Sequence, residues 1–144
     1  MVLLVEPDDD VARRLMASLD RVHTVRRCST FPEARQHLQP SPPDLLVSNL
    51  RLREYNGLHL VYLAGIGNTT TRAVVYTITL DVVLARDVQH AGAFYDTADC
   101  LEVSLRAYLG TPLPPNDRRD PQHRLRLEKP AGRRLTDLAD PSEL

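Results

Sequence analysis

Short apolar runs and amphipathic stretches alternate along residues 1–110. Val2 to Val5 is apolar throughout, as are Leu45 to Val47 and Ala73 to Tyr76. Runs of this length suit strands buried on both faces of a parallel sheet. Helical spacings lie between them. Val11, Leu15 and Leu19, with Ala12 and Met16 beside them, share one helical face, and Arg13 and Arg14 fall off it. Asp8, Asp9 and Asp10 stand before that face, where carboxylates cap free N–H groups and meet the positive end of the helix dipole. Thr30-Phe31-Pro32-Glu33 reads as a capping box opening a second helix, which carries Ala34 and Leu38 and stops before Pro40. A third helix is predicted from Gly57 to about Ile66, with Leu58, Leu60, Val61 and Leu63 available to a core. Asp81 or Thr79 caps a fourth, through His90, with Leu84 and Val88 turned inward. A fifth runs from Leu101 to Leu109, with Leu101, Leu105 and Tyr108 on one side. Two weaker strands complete the series, His23 to Cys28 at a sheet edge and a short one within Ala91 to Tyr95.

Five strand–helix alternations joined by short connections imply an α/β protein with a doubly wound, five-stranded parallel sheet and helices on both faces. Right-handed crossovers favour the flavodoxin-like strand order 2-1-3-4-5. After Gly110 the pattern stops. Residues 111–144 hold prolines 112, 114, 115, 121, 130 and 141 of the chain's 11, and they hold no aromatic residue. They have too little apolar periodicity for a second core. The chain therefore divides into a folded unit, 1–110, and a tail, 111–144, read as extended or disordered with room for a helical turn near Leu135 to Leu138. The tail is either a tether that folds on a partner or a spent linker.

Composition narrows the classes. A formal net charge of −1 gives no reason to expect nucleic acid or an anionic membrane as a partner. No apolar run is long enough to span a bilayer, and MVLLVEPDDD lacks the basic start of a signal peptide, so a cytoplasmic location is expected. Cys28 and Cys100 lie far apart without metal spacing and read as free thiols. The five histidines are scattered, and Gly65-Ile66-Gly67 lacks the third glycine of a dinucleotide loop.

In open α/β sheets, ligands and chemistry sit beyond the carboxyl ends of the strands. Pro43 to Gly57, PDLLVSNLRLREYNG, places Ser48 and Asn49 at such an end and closes its loop with Asn56-Gly57. This segment resembles the third strand and following loop of the receiver domain of bacterial response regulators. The family reads Pro-Asp-Leu, two apolar residues, a variable residue, then Asp-Leu, and its loop carries a proline before the closing Asp/Asn-Gly. The resemblance covers roughly residues 1–109. It implies the fold above and a part in two-component phosphorelay signalling, where the family's Asp accepts a phosphoryl group from a sensor histidine kinase. Here that position is Asn49, and the loop proline is Arg53.

The family's reaction needs a carboxylate nucleophile, a carboxylate-held Mg²⁺, a hydroxyl and a lysine. Metal and lysine neutralise charge on the transferring group. An amide at Asn49 cannot form an acyl phosphate. Of the two acids after the first strand, Glu6 matches one and Pro7 replaces the other; Asp8, one residue on, is read as entering the helix cap. Glu6 and Asp8 are what remains of the acidic pocket, so Mg²⁺ binding is expected to be weak or absent and no cofactor is expected. The family's lysine falls near Ala98 to Cys100, and the chain's single lysine is Lys129 in the tail. Thr77 matches the hydroxyl, and Tyr95 the family's aromatic switch position. Plainer roles stand beside each: Asn49 satisfying loop backbone, the acids a solvated cap, Thr77 a turn cap, Tyr95 core packing.

The resemblance thus implies a degenerate receiver, a pseudo-receiver that is no enzyme and signals by protein–protein contact without aspartyl phosphorylation. The face of the fourth helix, fifth strand and fifth helix would meet a sensor kinase, another regulator or a second copy in a homodimer. Val82, Val83, Arg86 and Arg106 are its candidates. The alternative is a sensor of a small polar ligand, held over Asn49, Thr77 and Glu6.

Overall fold

The structure is a computed structural model that describes residues 1–19, 23–67 and 70–110. The tail, including the turn expected near Leu135, lies outside the described residues, as do 20–22 and 68–69. The elements in order are β1 (Val2–Val5), α1 (Asp9–Leu19), β2 (Val25–Cys28), α2 (Phe31–Leu38), β3 (Leu45–Asn49), β4 (Arg51–Leu52), β5 (Tyr55–Asn56), α3 (Leu58–Gly67), β6 (Arg72–Thr77), α4 (Val82–His90), β7 (Phe94–Thr97), α5 (Ala98–Ser104) and α6 (Ala107–Gly110). Five strands form one parallel sheet ordered β2-β1-β3-β6-β7. With the β4–β5 hairpin set aside, this is the order 2-1-3-4-5 and the flavodoxin-like α/β fold.

The continuous apolar strands are central because they must bury both faces. Leu3, Val5, Leu46 and Val75 enter one core with α2, α3 and α4. Their neighbours Val2, Leu4, Leu45, Val47, Val74 and Tyr76 enter a second with α1 and α5. Alternation of strand side chains thus produces two cores, one under each helical layer. Ala12, Leu15 and Leu19 are the buried stripe of α1, with Val11 and Met16 partly buried beside them.

Several boundaries depart from the sequence reading. Thr30 caps α2 by accepting from Glu33 N–H at 3.4 Å, while the Glu33 carboxylate reaches back to Ser29 N–H at 2.9 Å rather than to Thr30. Asp81, not Thr79, caps α4, accepting from Val83 and Leu84 N–H at 3.0 and 3.1 Å. The fifth sheet strand starts at Phe94, after Ala91 and Gly92 close α4 with Gly92 at a left-handed φ of 85°, and it runs on past Tyr95 to Thr97. The expected helix from Leu101 to Leu109 begins earlier and is broken into α5 and α6. The break brings Tyr108 against Phe94, ring centroids 5.1 Å apart, with its hydroxyl donating to Asp96 at 2.8 Å.

The hairpin β4–β5 had no counterpart among the predicted elements. It turns at Arg53, a non-glycine residue at φ 59°, and Tyr55 stacks on Phe31 with centroids 4.5 Å apart and planes 9° from parallel. Gly57 ends the loop against β3: a Cβ there would stand 2.2 Å from the Asn49 carbonyl oxygen and 2.6 Å from Ser48 Oγ. Only glycine admits that approach.

Candidate functional site

The carboxyl ends of β1, β3 and β6 bring Glu6, Asn49 and Tyr76 together. Glu6 follows β1 directly and is 1% exposed. A buried carboxylate needs donors for both oxygens, and Glu6 has them. Asn49 Nδ2–H donates to Oε2 at 2.9 Å, and the Tyr76 hydroxyl donates to the same oxygen at 2.5 Å. Asp8 N–H donates to Oε1 at 2.7 Å. The Asn49 side-chain Oδ1 in turn accepts from Arg51 N–H at 2.9 Å. Asn49 therefore does two jobs. Its oxygen satisfies loop backbone, the plain role considered above, and its nitrogen donates a hydrogen bond to a buried acid. The Tyr76 phenol is pushed far above its usual range, by burial first and the Glu6 charge next, so at neutral pH the hydroxyl keeps its proton and can donate it to Glu6.

Asp8 lies apart from this cluster. It is exposed, and its Oδ1 accepts from Asp10 and Val11 N–H at 2.9 and 3.0 Å as the cap of α1. Those bonds hold its carboxyl below the usual range. Asp9 pairs with Arg27, whose guanidinium also donates to the Glu6 carbonyl at 3.1 Å; Asp10 pairs with Arg13. The acids after β1 are thus spent on capping and ion pairs. The donor set does not fit Mg²⁺, which wants several free oxygens in octahedral array: the one carboxylate in the cluster already accepts from protein groups on both oxygens. Among the described residues no group of three or more His, Cys, Asp or Glu is placed to hold a metal.

Thr77 and Tyr95 do meet. Their hydroxyls lie 2.5 Å apart, Thr77 also donates to the Thr79 carbonyl at 2.6 Å, and the Tyr95 hydroxyl accepts from Asp81 N–H at 2.9 Å. These bonds tie the β6–α4 loop to β7. At the end of β7, where a lysine would reach in, stand Thr97 and the buried Ala98. Arg14, on α1 beside α5, pairs with Glu102 at 2.7 Å.

A cavity of about 190 Å³ opens over Asn49, lined by Arg51, Thr77, Ile78, Thr79, Asp81 and Leu84. Glu6 does not line it, contrary to the pocket expected from the sequence, because the Asn49 amide and Tyr76 hydroxyl close over its carboxylate. Of the proposed contact residues, Val82, Val83 and Arg86 are exposed on α4. Arg106 is not brought to them: its Nε–H donates to the Ser18 carbonyl at 2.8 Å, at the C-terminal end of α1. Tyr76 escaped the sequence reading. The signal was a tyrosine in an apolar central run, since a buried phenol needs a partner.

No family model and no curated protein matches the chain. Solved structures do. The signal receiver domain of a protein described as a Luxo repressor, from Vibrio parahaemolyticus, superposes with a TM-score of 0.67 at 24% identity over 76% of this chain and 88% of that one. A response regulator from Burkholderia pseudomallei, solved with a phosphorylated aspartic acid, calcium and citrate, gives 0.69 at 22% identity over 90% and 74%. A CheY-like receiver domain from Methanospirillum hungatei gives 0.66 at 16% identity over 76% and 92%. The chain has the fold of response regulator receiver domains.

Proposed function

We propose that this chain is a receiver-type signalling module of the two-component class that works without aspartyl phosphorylation. It is a degenerate receiver, without enzymatic activity or a metal cofactor, acting in the cytoplasm by binding a protein partner such as a sensor kinase or another regulator. The observation that carries this reading is the closed Glu6–Asn49–Tyr76 cluster. In a phosphorylated receiver these positions must offer free carboxylate oxygens to a metal and an attacking oxygen to phosphorus. Here an amide and a phenol supply the positive ends of dipoles that the acid would otherwise seek from a cation. The scaffold persists with the acid's hydrogen bonds already satisfied, so a conformational signal has to come from contact with another molecule. Val82, Val83 and Arg86 on α4 offer the contact surface. Among the described residues no helix is long and apolar enough to cross a membrane.

The test follows the Asn49 side-chain amide by NMR during titration with Mg²⁺ and then with Mg²⁺ plus beryllofluoride, a phosphoryl mimic. An unmoved amide resonance supports the reading. A saturable shift at Asn49, spreading to Thr77 and Tyr95, overturns it.

A further inference from the structure

The cavity over Asn49 is lined by two opposite charges that do not meet. Arg51 and Asp81 both border it, yet they form no ion pair with each other, and the Arg51 guanidinium has no ion-pair or hydrogen-bond partner among the described residues. Asp81 is only half used. Its Oδ1 accepts from Val83 and Leu84 N–H at 3.0 and 3.1 Å as the cap of α4, while its Oδ2 accepts from no group among the described residues. Opposite charges that share one small cavity and stay apart leave room for a group of each sign between them. Asn49 Nδ2 gives one hydrogen to Glu6 and keeps its second. Ile78 and Leu84 add an apolar part to the lining. Leu84 is partly buried against the core, and Ile78 is 60% exposed.

These features select among small ligands. A plain anion attracted by Arg51 would also face the Asp81 carboxylate, and a plain cation drawn to Asp81 would face Arg51. A molecule that carries a carboxylate and an ammonium on one carbon meets both charges at once. The guanidinium takes the carboxylate through paired N–H bonds, and Asp81 Oδ2 accepts from the ammonium. Size sets a further bound: at about 190 Å³ the cavity falls short of the roughly 300–1,000 Å³ that drug-sized ligands occupy. A side chain resting on Ile78 and Leu84 gains most when it is aliphatic. We propose that the cavity over Asn49 binds a free α-amino acid with an aliphatic side chain, its carboxylate on Arg51 and its ammonium on Asp81. This adds a metabolite to a module read so far as meeting only protein partners, and it rests on that reading in that no phosphoryl group takes the space. The ligand touches the residue that caps α4, the helix bearing Val82, Val83 and Arg86.

The experiment titrates the full chain with L-leucine and follows the Asn49 side-chain amide, the Thr79 backbone amide and the Leu84 methyls by NMR. Saturable shifts at all three are expected. Leucinamide, which lacks the carboxylate, and N-acetyl-leucine, which lacks the ammonium, should each bind at least about tenfold more weakly, the scale of one lost charged hydrogen bond. Arg51→Gln and Asp81→Asn should weaken leucine binding by a similar factor. Asparagine caps a helix as well as aspartate does, so Asp81→Asn removes the charge and leaves α4 capped. The two analogues need no variant, so they decide the matter even if a substitution disturbs the fold. An absence of saturable shifts, an analogue that binds as tightly as leucine, or unweakened binding to a folded Asp81→Asn overturns the proposal. Beryllofluoride with Mg²⁺ is read separately on the same resonances. A saturable response to it with leucine binding intact would sink the functional reading alone, and a chain inert to both would sink the amino-acid site alone.

Discussion

Replacing Tyr76 with Phe removes one oxygen and tests whether the buried acid depends on it. Tyr76 is fully buried and Glu6 nearly so, so water cannot substitute for the lost donor. The phenol shares Glu6 Oε2 with the Asn49 amide, which alone would remain. A hydrogen bond to a charged group contributes about 1.5–3 kcal/mol. We expect Tyr76→Phe to cost about 2 kcal/mol, read as a lower urea midpoint at unchanged m-value. In a domain of this size that lowers Tm by on the order of 10 °C. The cause is isolated by a double-mutant cycle. With Glu6→Leu as background no acid remains to be satisfied, and the same Tyr76→Phe change should cost less than about 0.5 kcal/mol, giving a coupling above about 1.5 kcal/mol. Equal costs in the two backgrounds, or a negligible cost in the wild type, would refute the assignment of Tyr76 as the donor that closes the site.

Three further outcomes follow from the same geometry. Asn49→Asp sets a second carboxylate where an amide nitrogen now lies 2.9 Å from Glu6 Oε2. Like charges at about that spacing repel by up to about 6 kcal/mol at an effective dielectric of about 20. The variant should lose about 2–4 kcal/mol at neutral pH by urea titration, and a loss below about 0.5 kcal/mol would contradict this. Gly57→Ala forces a methyl against the Asn49 carbonyl and should cost about 1–3 kcal/mol by urea titration, whereas a neutral change would show that the β3 end yields freely. Burial first, and the Glu33 charge second, push the Cys28 thiol up to about 11 from 9.0. Above pH 9 the unfolded thiol ionises first, so stability should fall as pH rises from 9 toward 11, and alkylation of the native chain should modify exposed Cys100 while sparing Cys28.

What the sequence disclosed depended on whether one segment held the whole signal. The central strands declare themselves because burial on both faces demands unbroken apolar runs, and β1, β3 and β6 fell where Val2, Leu45 and Ala73 suggested. Asp8 as a cap and Asn49 at a strand end were legible for the same local reason. The β4–β5 hairpin was not, because two residues per strand carry no periodicity and Arg53 offers no sign that it takes a positive φ. Tyr76 was hidden by its own burial: its ring belongs to the apolar run, and its hydroxyl reaches Glu6, 70 positions away in sequence, across the intervening β3. Arg106 was legible as a surface residue, but helix spacing does not say which neighbour it meets, and its bond to the Ser18 carbonyl joins two residues 88 positions apart.

If the Glu6–Asn49–Tyr76 closure stands in place of a phosphoryl site, the chain takes up no phosphoryl group. Incubation of the full chain with acetyl phosphate and Mg²⁺, followed by intact-mass spectrometry, tests this. An unchanged mass is expected for the wild type and also for Asn49→Asp, which still lacks the second acid and the lysine. A stable adduct of one phosphoryl group mapped to residues 1–110 of the wild type would contradict it.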